Sequence, residues 1–175
     1  MSEPAGAENF SFEELYRESV ADVHGYAISL LGDRASAEDV TALAFERLYR
    51  GRSRLDRRRG TPRSLLFAIT RNAALDELRR RRRQPELLPD PEPAGLEDPG
   101  ETLARLERRE TVRAALSGLT LREREIVLLK FHGQLSNAEL GRVLQISETN
   151  AATRLHRALN RLRENCAEPG HEEVA

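Results

Sequence analysis

The sequence predicts an all-α fold of two small helical domains, and three observations predict it. Apolar residues recur at steps of three, four and seven, with no strand-like alternation. Ser or Thr followed three residues later by an acid opens several of those stretches, the pattern of a capping box. One acidic, proline-rich segment, QPELLPDPEPAGLEDPG at 84–100, divides the chain in two.

Each element follows from local signals. Ser11 with Glu14 opens a helix through Leu15, Val20, Val23, Tyr26, Ala27, Leu30 and Leu31, which Gly32-Asp33 ends. Ser36 with Asp39 is expected to cap a second helix carrying Val40, Leu43, Ala44, Phe45 and Leu48 to about Arg50. After an irregular basic stretch, Thr61 and Pro62 supply an N-cap and a proline at the first helical position. That third helix runs to Arg83 with Leu66, Ile69, Ala73 and Leu78 inward. The linker at 84–100 could span ~50 Å at ~3.1 Å per residue in polyproline geometry. A helix from about Glu101 to Leu116 follows, then one opened by Thr120 and Glu123 that carries Ile126, Leu129 and Phe131. The expected organisation is a disordered N-terminus at 1–9, one bundle at 10–83, the linker, a second bundle at 101–165 and a tail at 166–175.

The last two helices, SNAELGRVLQISETNAATRLHRALNRLREN at 136–165, are the most informative stretch. Ser136 with Glu139 caps the first, whose buried stripe is Ala138, Leu140, Val143 and Leu144. Gln145-Ile146-Ser147 is the turn, and Ser147 caps the second helix. Asn150, Thr153, Arg154, Arg157 and Arg161 lie along one edge of that helix, opposite Leu155, Leu159 and Leu162. A short helix after a sharp turn, loaded with Arg, Asn and Thr, suits a DNA major groove. The competing reading is a plain helical hairpin whose arginines face solvent.

Charge is segregated although the net value is only −1. Residues 1–50 balance at −6, 51–83 at +9, 84–110 at −5, 111–165 at +4 and the tail at −3. Two separate basic blocks, almost all arginine, suggest two contacts with a polyanion. No apolar run approaches the ~20 residues that span a bilayer, so no membrane insertion is expected. The acidic opening MSEPAGAENFSFEEL lacks the apolar core of a signal peptide. One cysteine, Cys166, leaves no intrachain disulfide and fits a reducing, cytoplasmic setting. His24, His132, His156 and His171 are scattered and no catalytic or metal-binding spacing occurs, so neither an enzyme nor a cofactor nor a metal is expected.

Three collinear segments carry a resemblance: LLGDRASAEDVTALAFERLYR, then SLLFAITRNAALDELRRRRR, then LSGLTLREREIVLLKFHGQLSNAELGRVLQISETNAATRLHRALNRLRE. Over roughly residues 10–164 the chain resembles a bacterial RNA polymerase sigma factor of the extracytoplasmic-function (ECF) subgroup, built from sigma regions two and four. The resemblance implies binding to core RNA polymerase and recognition of promoter DNA, with an anti-sigma factor as a further partner. It implies that Asp39, Val40, Leu43, Phe45, Glu46 and Leu48 dock on the clamp helices of the largest polymerase subunit. Helix 121–131, with the region before it, would meet the flap of the second largest.

The −10 element would be read and opened by Arg52, Arg54, Arg57, Arg58, Arg59, Arg71, Asn72, Asp76, Arg79 and Arg80, with Tyr49 and Phe67 as nearby rings for stacking. The −35 element would be read by Ser147, Glu148, Thr149, Asn150, Thr153, Arg154, Arg157 and Arg161. Ala42 and Leu43 stand where the family usually has Gln and Glu, Leu65 where an aromatic is common, and Gln145 at a turn position usually held by Gly. Two other readings compete: a stand-alone helix-turn-helix regulator, and a degenerate sigma acting only through an anti-sigma partner.

Overall fold

A computed structural model describes residues 11–52, 60–83 and 103–167. They form α1 (Phe12–Leu31), α2 (Arg34–Gly51), α3 (Pro62–Arg83), α4 (Leu103–Ser117), α5 (Leu121–Phe131), α6 (Asn137–Leu144) and α7 (Glu148–Ala167), with no strand among the described residues. None of these helices is long and apolar enough to cross a membrane. The linker and both termini lie outside the described residues.

Helices α1, α2 and α3 pack into one bundle. Ser11 caps α1, accepting the Glu14 amide, and Gly32 ends it in the left-handed region at φ 71°. The cap of α2 corrects the sequence reading. Asp33, not Ser36, is the N-cap, its carboxylate accepting the Ser36 amide at 2.9 Å. The Ser36 side chain is the main cause that holds the Asp33 carboxyl below its ordinary value against partial burial, with the Ser36 amide and Arg81 adding to it. The helix therefore starts one turn earlier than Ser36 suggested.

Val23, Tyr26, Ala27 and Leu30 meet Ala44, Phe45, Leu48, Leu66 and Phe67 in the centre. Tyr26 and Phe67 pack edge to face at 5.8 Å. Burying a ring such as Phe67 contributes about 2–3 kcal/mol, and it is fully enclosed. It is therefore a core ring and offers no stacking face to a base, contrary to the expectation for it.

The second bundle is α4 to α7. Thr120–Glu123 and Ser136–Glu139 both form complete capping boxes. Ile126, Leu128 and Leu129 of α5, Leu140 and Val143 of α6, and Ala151, Leu155 and Ala158 of α7 supply the core. Only Ala115 is buried on α4, while Leu103, Leu106 and Val112 stay exposed. Phe131, at the end of α5, has 64% of its surface exposed.

The two bundles touch. Helix α1 packs on α5, and α3 on α6. An independent pair of modules on a long tether did not anticipate this contact.

Candidate nucleic-acid and polymerase interface

The helix-turn-helix corner is set by backbone geometry. Gln145 takes the left-handed conformation at φ 57° and ψ 43°, which a non-glycine residue adopts at a cost of about 1–2 kcal/mol. The Ile146 amide reaches back to the Gly141 carbonyl at 2.8 Å. A Cβ on Gly141 would lie 2.8 Å from the Ile146 carbonyl oxygen, so glycine lets α6 come this close to the turn. Ser147 accepts the Asn150 amide at 3.2 Å and starts α7.

Along α7 the structure brings the predicted −35 set together. Ser147, Glu148, Thr149, Asn150, Thr153, Arg154, Arg157 and Arg161 are all exposed. Ala151, Leu155 and Ala158 are buried on the opposite side, with Leu159 and Leu162 packed against the core. Arg154 Nε donates to Asn150 Oδ1 at 3.0 Å, so these two act as a unit. Arg161 donates to Glu123 Oε1 at 3.0 Å, which ties the end of the recognition helix to the start of α5. The Thr120 backbone amide bond is the first cause that keeps the Glu123 carboxyl below its ordinary value, with Arg161 adding to it.

The predicted −10 set is split. Arg54, Arg57, Arg58 and Arg59 lie outside the described residues. Arg52 is exposed, with its guanidinium 3.6 Å above the Tyr49 ring. Asn72, Asp76, Arg79 and Arg80 are exposed at the far end of α3. There Asp76, Arg79, Arg80 and Arg83 line an open cavity of about 300 Å³. Arg79 pairs with Asp76 at 2.8 Å, and Arg80 with Glu77 at 2.8 Å.

Arg71 departs from this group. Its Nε lies 2.7 Å from Glu125 Oε1 on α5, with side-chain exposures of 21% and 5% for the pair. Arg71 is thus engaged by the second bundle and not held out to a strand. Arg81, at the end of the basic run, is likewise occupied. It donates to the Leu31 carbonyl at 2.9 Å and to Asp33 at 3.0 Å, locking the α1–α2 corner.

The polymerase set also divides. Asp39 and Glu46 are exposed and Leu43 is half-buried on α2. Val40, Phe45 and Leu48, expected as contact residues, are buried at 5%, 5% and 1% exposure. They hold α2 on α1 and α3, since apolar residues at that helical spacing satisfy a core before they satisfy a partner. The exposed face of α2 is instead Glu38, Asp39, Ala42, Glu46, Arg47 and Arg50.

Sequence reasoning missed the residues that join the bundles. Arg63 donates to Asp22 Oδ2 at 2.6 Å, Ser19 Oγ at 3.0 Å, the His132 carbonyl at 2.8 Å and the Gly133 carbonyl at 2.7 Å. Thr61, the α3 cap, donates to Glu139 Oε1 at 2.6 Å. Burial pushes the Glu139 carboxyl up, but hydrogen bonds from Thr61 and Ser136 outweigh it and leave the group below its ordinary value. No local signal marks these pairs, because their partners lie 41 to 78 positions away.

The Sigma-70 region 2 family matches residues 15–84, and the Sigma-70, region 4 family matches residues 109–162. The ECF RNA polymerase sigma factor SigL of Mycobacterium tuberculosis is 30% identical over 173 residues, covering 97% of each chain. Two solved structures share the fold. They are the sigma factor RpoE in complex with the anti-sigma factor NepR from Bartonella quintana, and CnrH in complex with the cytosolic domain of CnrY. The first has a TM-score of 0.74 at 20% identity, covering 91% of this chain and 98% of that one. The second has a TM-score of 0.67 at 22% identity, covering 91% and 89%. With both sigma regions matched in order, and a relative similar along nearly its whole length, this chain belongs to the ECF RNA polymerase sigma factor family.

Proposed function

We propose that this protein performs the family's work through two DNA-contacting faces carried on separate bundles, and that it has no catalysis of its own. Sigma factors are not an enzyme class; they bind core RNA polymerase and direct transcription initiation at promoters. The observation that carries the residue-level reading is α7, which exposes Asn150, Thr153, Arg154, Arg157 and Arg161 together while Ala151, Leu155 and Ala158 hold its other side. Such a face can lie in the major groove of the −35 element, with Arg forked onto guanine or phosphate and Asn onto adenine.

Within residues 10–83, the proposed −10 surface is the Arg79–Arg80–Arg83 cavity with Asn72 and Asp76, and Arg52 on the Tyr49 ring is a separate cationic patch at the opposite end of α2. A captured single strand needs a cationic track, and these arginines supply one. Core binding is assigned to the exposed α2 face around Asp39, Leu43 and Glu46. The exposed Leu103 and Leu106, which lie close together on one side of α4, are assigned to the polymerase flap. An anti-sigma factor is proposed as a further partner, on the precedent of RpoE with NepR and CnrH with CnrY. The proposed setting is the cytoplasm, where promoters and polymerase are.

Separation of roles is the test. Asp39→Lys with Glu46→Lys is expected to abolish copurification with core polymerase while the protein keeps its helical content. Arg79→Ala with Arg80→Ala is expected to leave copurification intact and to abolish permanganate-reactive opening of promoter DNA. Loss of core binding in the second pair, and not in the first, would refute this division.

A further inference from the structure

Arginines fill every position from Arg79 to Arg83 at the end of α3, and the structure gives them different surroundings. Arg79, Arg80, Arg82 and Arg83 are exposed. Arg81 turns inward, with 17% of its side chain exposed. Its guanidinium forks three ways: Nη1 donates to the Leu31 carbonyl at 2.9 Å, Nη2 to Asp33 Oδ2 at 3.0 Å and Nε to Glu77 Oε1 at 3.0 Å. Leu31 ends α1 and Asp33 caps α2, so the fork fixes the end of α3 against the corner of the other two helices. A planar guanidinium satisfies acceptors in three directions at once; a lysine ammonium on a flexible stem does not hold that geometry.

Glu77 lies between this anchor and the exposed arginines. Its Oε1 accepts from Arg81 Nε and from Arg80 Nη2, and its Oε2 accepts from Arg80 Nε at 2.8 Å. The carboxylate is mostly enclosed, at 15% exposure. Two nitrogens of Arg80 are thereby engaged, which leaves Nη1 for an outside acceptor. Arg80 lines the open cavity with Asp76, Arg79 and Arg83.

We propose that Glu77 and Arg81 are positioning residues for promoter opening: Arg81 anchors Glu77 to the α1–α2 corner, and Glu77 aims Arg80 at a phosphate of the separated strand. This rests on the assignment of Arg80 to the −10 surface. A guanidinium already held by two nitrogens loses less side-chain entropy on meeting a phosphate than a swinging one does. Glu77 bears the strand's own charge and is enclosed by two guanidiniums, so it acts on DNA only through Arg80. The run thus holds one buried anchor among exposed cations, a division that five identical residues conceal.

The test uses holoenzyme assembled from the full chain and purified core polymerase, on a promoter that the unmodified holoenzyme opens. Permanganate reactivity gives the holoenzyme concentration for half-maximal opening. Glu77→Gln keeps the shape and removes the charge, whereas Arg81→Lys keeps the charge and removes the fork. Each is expected to raise that concentration about tenfold, while Arg82→Lys leaves it unchanged. Both substitutions are then repeated together with Arg80→Ala, where neither should add a further penalty.

An equal penalty with and without Arg80 makes the network a brace of the fold and overturns the proposal, leaving the −10 assignment in place. No penalty from either variant overturns it as well. If Arg80→Ala by itself changes nothing, the −10 assignment fails and the proposal falls with it. Circular dichroism and copurification with core polymerase accompany each variant. Should Arg81→Lys lose helical content, Glu77→Gln decides the question alone.

Discussion

Asn150 and Arg154 hold each other in place on α7, and that coupling decides how their substitution should be read. If Arg154 forks onto a base, Arg154→Ala costs about 1–3 kcal/mol of discrimination at one promoter position. Transcription from a set of single-base promoter variants would then lose preference at that position only. A uniform loss across all variants would make Arg154 a phosphate anchor and refute base reading. Asn150→Ala should relax the same region of the promoter, because it also releases the Arg154 guanidinium. Phosphate-type arginines behave differently: each one removed lowers the salt slope of DNA binding by roughly one unit. Arg157→Ala is expected to do so for holoenzyme on promoter DNA, measured between low and moderate salt. An unchanged slope would remove Arg157 from the backbone contacts.

The corner between α6 and α7 makes two opposite stability predictions. Gly141→Ala places a methyl 2.8 Å from the Ile146 carbonyl, an overpacked contact expected to cost about 1–3 kcal/mol. Gln145→Gly removes a left-handed strain and is expected to gain on the order of 0.5–1 kcal/mol. Denaturant unfolding monitored by circular dichroism reads both, and the same sign for the two would contradict the geometry. This corner was largely legible in the sequence, since its capping box, turn and amphipathic stripe are all encoded within thirty neighbouring residues. The α2 cap was not, because Asp33 and Ser36 are both competent caps and the choice depends on Arg81 and Leu31 at the α1–α2 corner. The burial of Val40, Phe45 and Leu48 was not legible for a related reason: a family motif holds core residues as readily as exposed ones, and nothing local separates them. Phe67, taken for a stacking ring, shows the same confusion.

Arg63, Glu125 and His132 could not be read locally, because each acquires its role only when the bundles meet. That meeting also predicts a pH response. Burial lowers the His132 pKa below its ordinary 6.5, against the opposing pull of Asp22 on α1. Arg63 on α3 also faces this corner, donating to the His132 carbonyl. The packed arrangement thus favours neutral imidazole. It keeps its full stability above the ordinary His value and loses it as pH falls through and below that value. Energy transfer between a label on the exposed Cys166 and one at Arg17→Cys on α1 should therefore drop from about pH 7.5 to about pH 5.5, and His132→Gln should flatten that drop. The central claim, however, is that this chain directs core polymerase to promoters. Transcription of a fragmented host genome by purified core polymerase, with and without the protein, tests it most directly. The expected result is a set of new, discrete start sites sharing one upstream motif with −35 and −10 elements. An unchanged start-site map, with no association between the protein and core polymerase, would contradict the account.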